Sequence, residues 1–72
     1  MKVGDKVKWH DVAIADYGND KQIAEQRKFE VIAINNDTNA NIPDILMRDD
    51  DIILISDGYT EVECYITELE YI

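Results

Sequence analysis

A chain of 72 residues has room for one domain, near the lower size at which a single apolar core suffices without disulfides or metal, so most of its side chains must be scaffold. One cysteine excludes an intramolecular disulfide, and no N-terminal run joins a positive start to roughly 7–15 apolar residues, so neither a signal peptide nor a membrane span is expected and the cytoplasm is the default compartment. The net charge of −9 is concentrated in residues 29–72, where Arg48 alone faces eleven acids, whereas residues 1–28 carry six basic against five acidic side chains; such a field disfavours direct nucleic-acid binding and attracts basic partners, although acidity also serves solubility.

Val3 to Trp9 alternates, which puts Val3, Val7 and Trp9 on one side of a first strand and Lys6, Lys8 and His10 towards solvent, after a turn or bulge at Gly4-Asp5. Val7 and Trp9 are expected in the core, Trp9 at its margin, where the indole N–H can reach an acceptor or water. From His10 to Lys28 the two-residue period stops, and the segment is too long for a plain hairpin loop. It is expected to carry a short helical insertion: Asp11 can cap a turn through Tyr17 that ends at Gly18, and Asn19-x-x-Gln22 fits a capping box for a helix through Arg27. Ile14, Tyr17 and Ile23 would dock it.

Phe29 to Ile34, FEVIAI, predicts the second strand, with Phe29, Val31 and Ala33 on one face and Ile32 and Ile34 on the other. Asn35 to Asn41 reads as a loop, and Pro43 argues against a central strand there. Ile45 to Met47 is expected to pair briefly, and Arg48 to Asp51 to turn. Ile52 to Ile66 then carries two β-rich runs around Asp57-Gly58, the strongest short-range hairpin signal in the chain. A two-residue turn there would set Ile55 opposite Thr60, Ile53 opposite Val62, and Asp51 near Cys64. Its first strand, apolar on both faces, is expected to lie centrally. Beyond it, Thr67-Glu68 predicts a single helical or 3₁₀ turn and Leu69 to Ile72 a short closing strand.

The order strand, helical excursion, strand, loop, hairpin, one turn, strand resembles an SH3-like five-stranded small barrel. The resembling residues are Gly4-Asp5-Lys6-Val7, the hairpin, and the ending from Tyr65 to Ile72, together about two thirds of the chain. The GDKV opening is also similar to that of short bacterial proteins with no assigned activity. The resemblance implies a mainly β fold in which a one-turn 3₁₀ helix precedes the last strand. Ala13-Ile14-Ala15-Asp16-Tyr17 looks like the ALYDY motif of peptide-binding SH3 domains but follows the GDKV strand instead of preceding a long acidic loop, which argues against proline-rich ligands. The basic side chains of RNA-binding SH3-like modules are missing from the acidic half.

Asp37-x-Asn39-x-Asn41 imitates the start of a calcium loop, yet Ile42 stands where the sharp turn needs glycine and Arg48 where a bidentate glutamate belongs. Asp49, Asp50 and Asp51 read as a solvated turn. His10 and Cys64 are too few for structural zinc, and Cys64, in step with Val62 and Ile66, reads as a small core residue. Gly4, Gly18 and Gly58 are too scattered for a phosphate-cradling loop, so no cofactor is expected. The one constellation suited to a ligand is aromatic plus acidic: Trp9, Tyr17, Tyr59 and Tyr65 with Asp11, Asp16, Glu61 and Glu63. On one rim these could hold a Lys or Arg side chain by cation–π and charge-assisted contacts; otherwise they separately seal barrel ends. With no matched acid–base pair, an enzyme is not expected. The sequence favours a protein-interaction module that docks a basic or amphipathic partner segment on Tyr59, Glu61, Glu63 and Tyr65, with Trp9 and Tyr17 nearby. The alternative is an acidic mimic of nucleic-acid phosphates that inhibits a nucleic-acid-binding protein.

Overall fold

The computed structural model describes residues 1–9 and 28–72. Its strands are β1 (Lys6–Trp9), β2 (Phe29–Ile34), β3 (Ile53–Ser56), β4 (Glu61–Cys64) and β5 (Leu69–Tyr71), with 3₁₀ turns at Asp44–Leu46 and Ile66–Glu68. They make one antiparallel sheet in the order β4-β3-β2-β1-β5. The mainly β character and the 3₁₀ turn before the last strand are as expected; β3 is an interior strand, but β2 holds the middle of the sheet and Ile52, just before β3, is exposed. The expected helical insertion, and with it Tyr17, His10, Asp11 and Asp16, lies outside the described residues.

Alternation decides β1: Val7 and Trp9 are buried while Lys6 and Lys8 are exposed. Trp9 goes deeper than the sequence suggested. It is only 4% exposed, its ring meets Phe29 edge-on at 5.9 Å, and its indole N–H has no hydrogen-bond partner among the described residues. The expectation of a marginal tryptophan with a wet N–H is therefore corrected: Trp9 stands opposite Leu69 of β5 and two residues along β1 from the Val7–Phe29 pair, on the same buried face.

In β2 the two-residue period breaks at Ile32. Val31 pairs with Ile55 but Ala33 pairs with Leu54, so Ile32 is an extra residue. Such a bulge exchanges the faces beyond it. Ile34, expected on the face opposite Phe29 and Val31, joins them in the core cluster beside Ile53, and Ala33 is buried outside that cluster. The strand then turns at Asn35 and Asn36, both with positive φ (51° and 65°). Ile34 and Asp37 exchange two backbone hydrogen bonds across them, at 2.9 and 3.1 Å. This is the geometry of a two-residue primed turn, which asparagine tolerates better than most residues. The Asn35 side chain also accepts from the Ile52 N–H at 2.9 Å and donates to Asp51 at 2.9 Å, tying the turn to the start of β3. Ile45 to Met47 does not pair as a strand; Asp44–Leu46 is a 3₁₀ turn, with bonds from Leu46 N–H to Pro43 and from Met47 N–H to Asp44. Arg48 to Asp51 does turn, closed by Asp51 N–H to Arg48 O at 3.1 Å.

The hairpin is present, but its loop is Asp57–Thr60 and its pairs are Ile55 with Val62 and Ile53 with Cys64. The two-residue turn is overturned by the Asp57 side chain. Its carboxylate accepts the N–H groups of Tyr59 (2.9 Å) and Thr60 (2.8 Å), which favours a wider loop closed by Asp57 N–H to Thr60 O at 3.2 Å. The register moves by two residues, so every side chain keeps its face. Gly58 sits at φ +94°, and a Cβ there would meet nothing within 4 Å. Gly58→Val is therefore expected to cost about 1–3 kcal/mol from backbone strain alone. A thermal melt checks this, and an unchanged midpoint would mean that the positive φ is not held.

The core joins Val7, Trp9, Phe29, Val31, Ile34, Ile53, Ile55 and Cys64 with Met1 and Ala40, and Val62 packs against it partly buried. Full burial of a side chain such as Phe29 or Ile53 stabilises by about 1.5–3 kcal/mol. Residues 1–3 run beside residues 40–42, through Val3 N–H to Ala40 O at 3.0 Å and Ile42 N–H to Met1 O at 2.8 Å. Among the described residues no helix is long and apolar enough to cross a membrane.

Candidate functional site

On β4, Glu61 and Glu63 are exposed while Val62 and Cys64 turn towards the core. The glutamates thus share the outer face with their cross-strand neighbours Ser56 and Leu54. Two tyrosines bracket this short strand. Neither lies within it, which corrects the expectation of four alternating residues in one strand: Tyr59 stands in the loop, 91% exposed, and Tyr65 leads into the 3₁₀ turn, about half exposed. Glu68 fixes the latter end, its carboxylate accepting the Tyr65 N–H at 2.6 Å and its own N–H donating to Tyr65 O at 3.0 Å. Ile52, Glu63, Cys64 and Tyr65 line a cavity of about 170 Å³ beside the second glutamate.

Neither Glu61 nor Glu63 makes an ion pair among the described residues, where the ion pairs are Lys6–Glu30 and the Met1 ammonium with Asp44. Trp9 belongs to the core and does not join Tyr59, Glu61, Glu63 and Tyr65 on a surface. A larger cavity, about 580 Å³, opens over β1, β2 and the hairpin loop. Its walls include Lys6, Lys28, Glu30 and Asp57, so they select no one sign of charge, and among the described residues none of those expected to bind lines it.

Cys64 is an unpromising nucleophile. Burial, with a smaller effect of the Glu68 charge, pushes its thiol up to about 12, and Sγ donates to Ile53 O at 3.5 Å. The neutral thiol is the form present near pH 7.

Two carboxylates away from β4 hold structure instead. Asp44 accepts from the Met1 ammonium and the Tyr71 hydroxyl, both at 2.7 Å, which lower its pKa. Asp51 accepts from the Arg48 N–H at 2.8 Å and from Asn35 at 2.9 Å, and those bonds, the backbone one first, lower its pKa below the ordinary 3.8. A carboxyl whose folded pKa is depressed adds stability above the unfolded value, and that stability is lost as pH falls through the folded one. Wild type and Asp51→Asn are therefore expected to differ in melting temperature at pH 7 and to converge as pH falls through the lowered folded pKa of Asp51. A pH series of melts checks it; a constant difference would mean that the Asp51 charge is not involved.

Neither a family model, nor a curated protein, nor a solved structure matches the chain. The class of the protein therefore rests on the fold and on this face.

Proposed function

We propose that the chain is a non-enzymatic interaction module of SH3-like build, acting in the cytoplasm, that docks a basic or amphipathic segment of another protein on β4. The observation that carries the reading is the pair Glu61 and Glu63, exposed side by side on one face and without a cation partner among the described residues, with Tyr59 and Tyr65 at the two ends. Structural carboxylates of this chain find donors, as Asp44, Asp51 and Glu68 do; these two offer their charge outward. The SH3-like assignment is supported by the strand order β4-β3-β2-β1-β5 and by the 3₁₀ turn before β5.

The concentration of acids in residues 29–72 favours a second reading, a phosphate mimic that occupies a nucleic-acid-binding protein. Tyrosine separates the two. Tyr59→Ala with Tyr65→Ala is expected to weaken binding of a lysine-bearing peptide at least about tenfold, as loss of two aromatic anchors does. A mimic would bind through charge alone, would be insensitive to this change, and would weaken steeply with salt. Calorimetric titration at two salt concentrations reads both effects.

A further inference from the structure

Among the described residues β4 pairs only with β3, so its other edge is a row of backbone groups with no strand beside it. The ladder determines which groups face that edge. Asp57 N–H bonds Thr60 O, and directly opposed residues of an antiparallel pair alternate between hydrogen-bonded and non-hydrogen-bonded. Ile55–Val62 and Ile53–Cys64 are accordingly the pairs bonded between β3 and β4, while Ser56–Glu61 and Leu54–Glu63 are not. The N–H and C=O of Glu61 and Glu63 therefore point to the open edge. The same two residues project their carboxylates from the outer face. Tyr65 ends the row, because both its N–H and its C=O are bonded to Glu68.

We propose that the partner adds to this edge as a further antiparallel strand: an extended segment of another protein with Lys or Arg at two positions i and i+2 and an apolar residue between them. The proposal rests on the interaction-module reading and specifies how that docking is made. The two basic residues lie opposite Glu61 and Glu63, exchange backbone hydrogen bonds with them, and bring their side chains beside the carboxylates on the same face. The apolar residue lies opposite Val62, whose side chain is partly buried against the core, and extends that apolar surface. Charge selects this occupant over a second copy of the chain, since β4 against β4 would set glutamates beside glutamates. Proteins guard open edges with charged side chains. Here the guard has one sign, which repels acidic strands and admits a basic one.

The test uses the 72-residue protein and a synthetic peptide with a central Lys-Val-Lys, compared with versions carrying a backbone N-methyl group at both lysines or at the valine. The lysine N–H groups face β4 and the valine N–H faces away. Methylation at the lysines is expected to lower affinity at least about tenfold and at the valine by less than about twofold. Equal effects of the two modifications, with the unmodified peptide binding, would overturn strand addition while leaving the interaction face intact. Failure of the unmodified peptide to bind would overturn both readings.

Discussion

Replacing Trp9 with alanine is expected to destabilise the domain by about 3–5 kcal/mol, the range for truncating a large buried aromatic side chain. Trp9 is 4% exposed and packs edge-on against Phe29, so its removal leaves a void among Val7, Phe29 and Leu69 that surrounding strands cannot close without losing register. At about 0.05–0.15 kcal/mol per residue, a domain of 72 residues has only about 4–11 kcal/mol to lose, and the variant should be partly unfolded at room temperature. Trp9→Phe should cost much less, because it keeps a ring against Phe29 and removes an indole N–H with no partner among the described residues. Urea denaturation followed by far-ultraviolet circular dichroism measures both. A cost within about 0.5 kcal/mol for the alanine variant is what an exposed binding residue would give, and would contradict the core placement.

Replacing Glu61 and Glu63 with lysine is expected to abolish binding of a basic segment while leaving the fold almost unchanged. Both side chains are exposed and make no ion pair among the described residues, so the change removes no stabilising partner there and relieves part of the self-repulsion of a chain with net charge −9. The partner meets repulsion where it met attraction. Titration with the lysine-bearing peptide should show at least about a hundredfold loss of affinity, of the order found when close charge pairs across an interface are disrupted. The melting temperature should stay close to that of wild type. Retained affinity would remove β4 from consideration, and a collapsed melting temperature would show that these glutamates are structural.

The sequence was most informative where local chemistry and tertiary demand agree. FEVIAI has the span of β2, and Thr67-Glu68 falls in the 3₁₀ turn before β5, because each segment's local preference coincides with its place in the sheet. Asp57-Gly58 marked the hairpin but misled on register, since aspartate serves a primed turn through its backbone and a wider loop through its carboxylate; only the structure shows that the carboxylate wins. The even shift preserved the faces, which is why Glu61 and Glu63 were legible as an outward pair and Tyr59 was not legible as a loop residue. The bulge at Ile32 carries no sequence signal, having neither glycine nor proline, and so strict alternation puts Ile34 on the wrong face. Asn35-Asn36 carries the composition of a primed turn, but it runs straight into the polar stretch that follows, so composition alone does not separate the turn from the loop. Trp9 shows the remaining limit: alternation assigns a side, whereas depth depends on what packs over it.

The most direct test of the interaction face is a titration of isotopically labelled protein with the lysine-bearing peptide, following backbone amide resonances. The largest saturable shifts should fall between Tyr59 and Tyr65, on the loop, β4 and the start of the 3₁₀ turn, and should vanish in the Glu61→Lys, Glu63→Lys variant. Shifts centred on the exposed Ile45 and Leu46, or on the cavity walls at Lys6 and Lys28, or no saturable shift at all, would contradict the account.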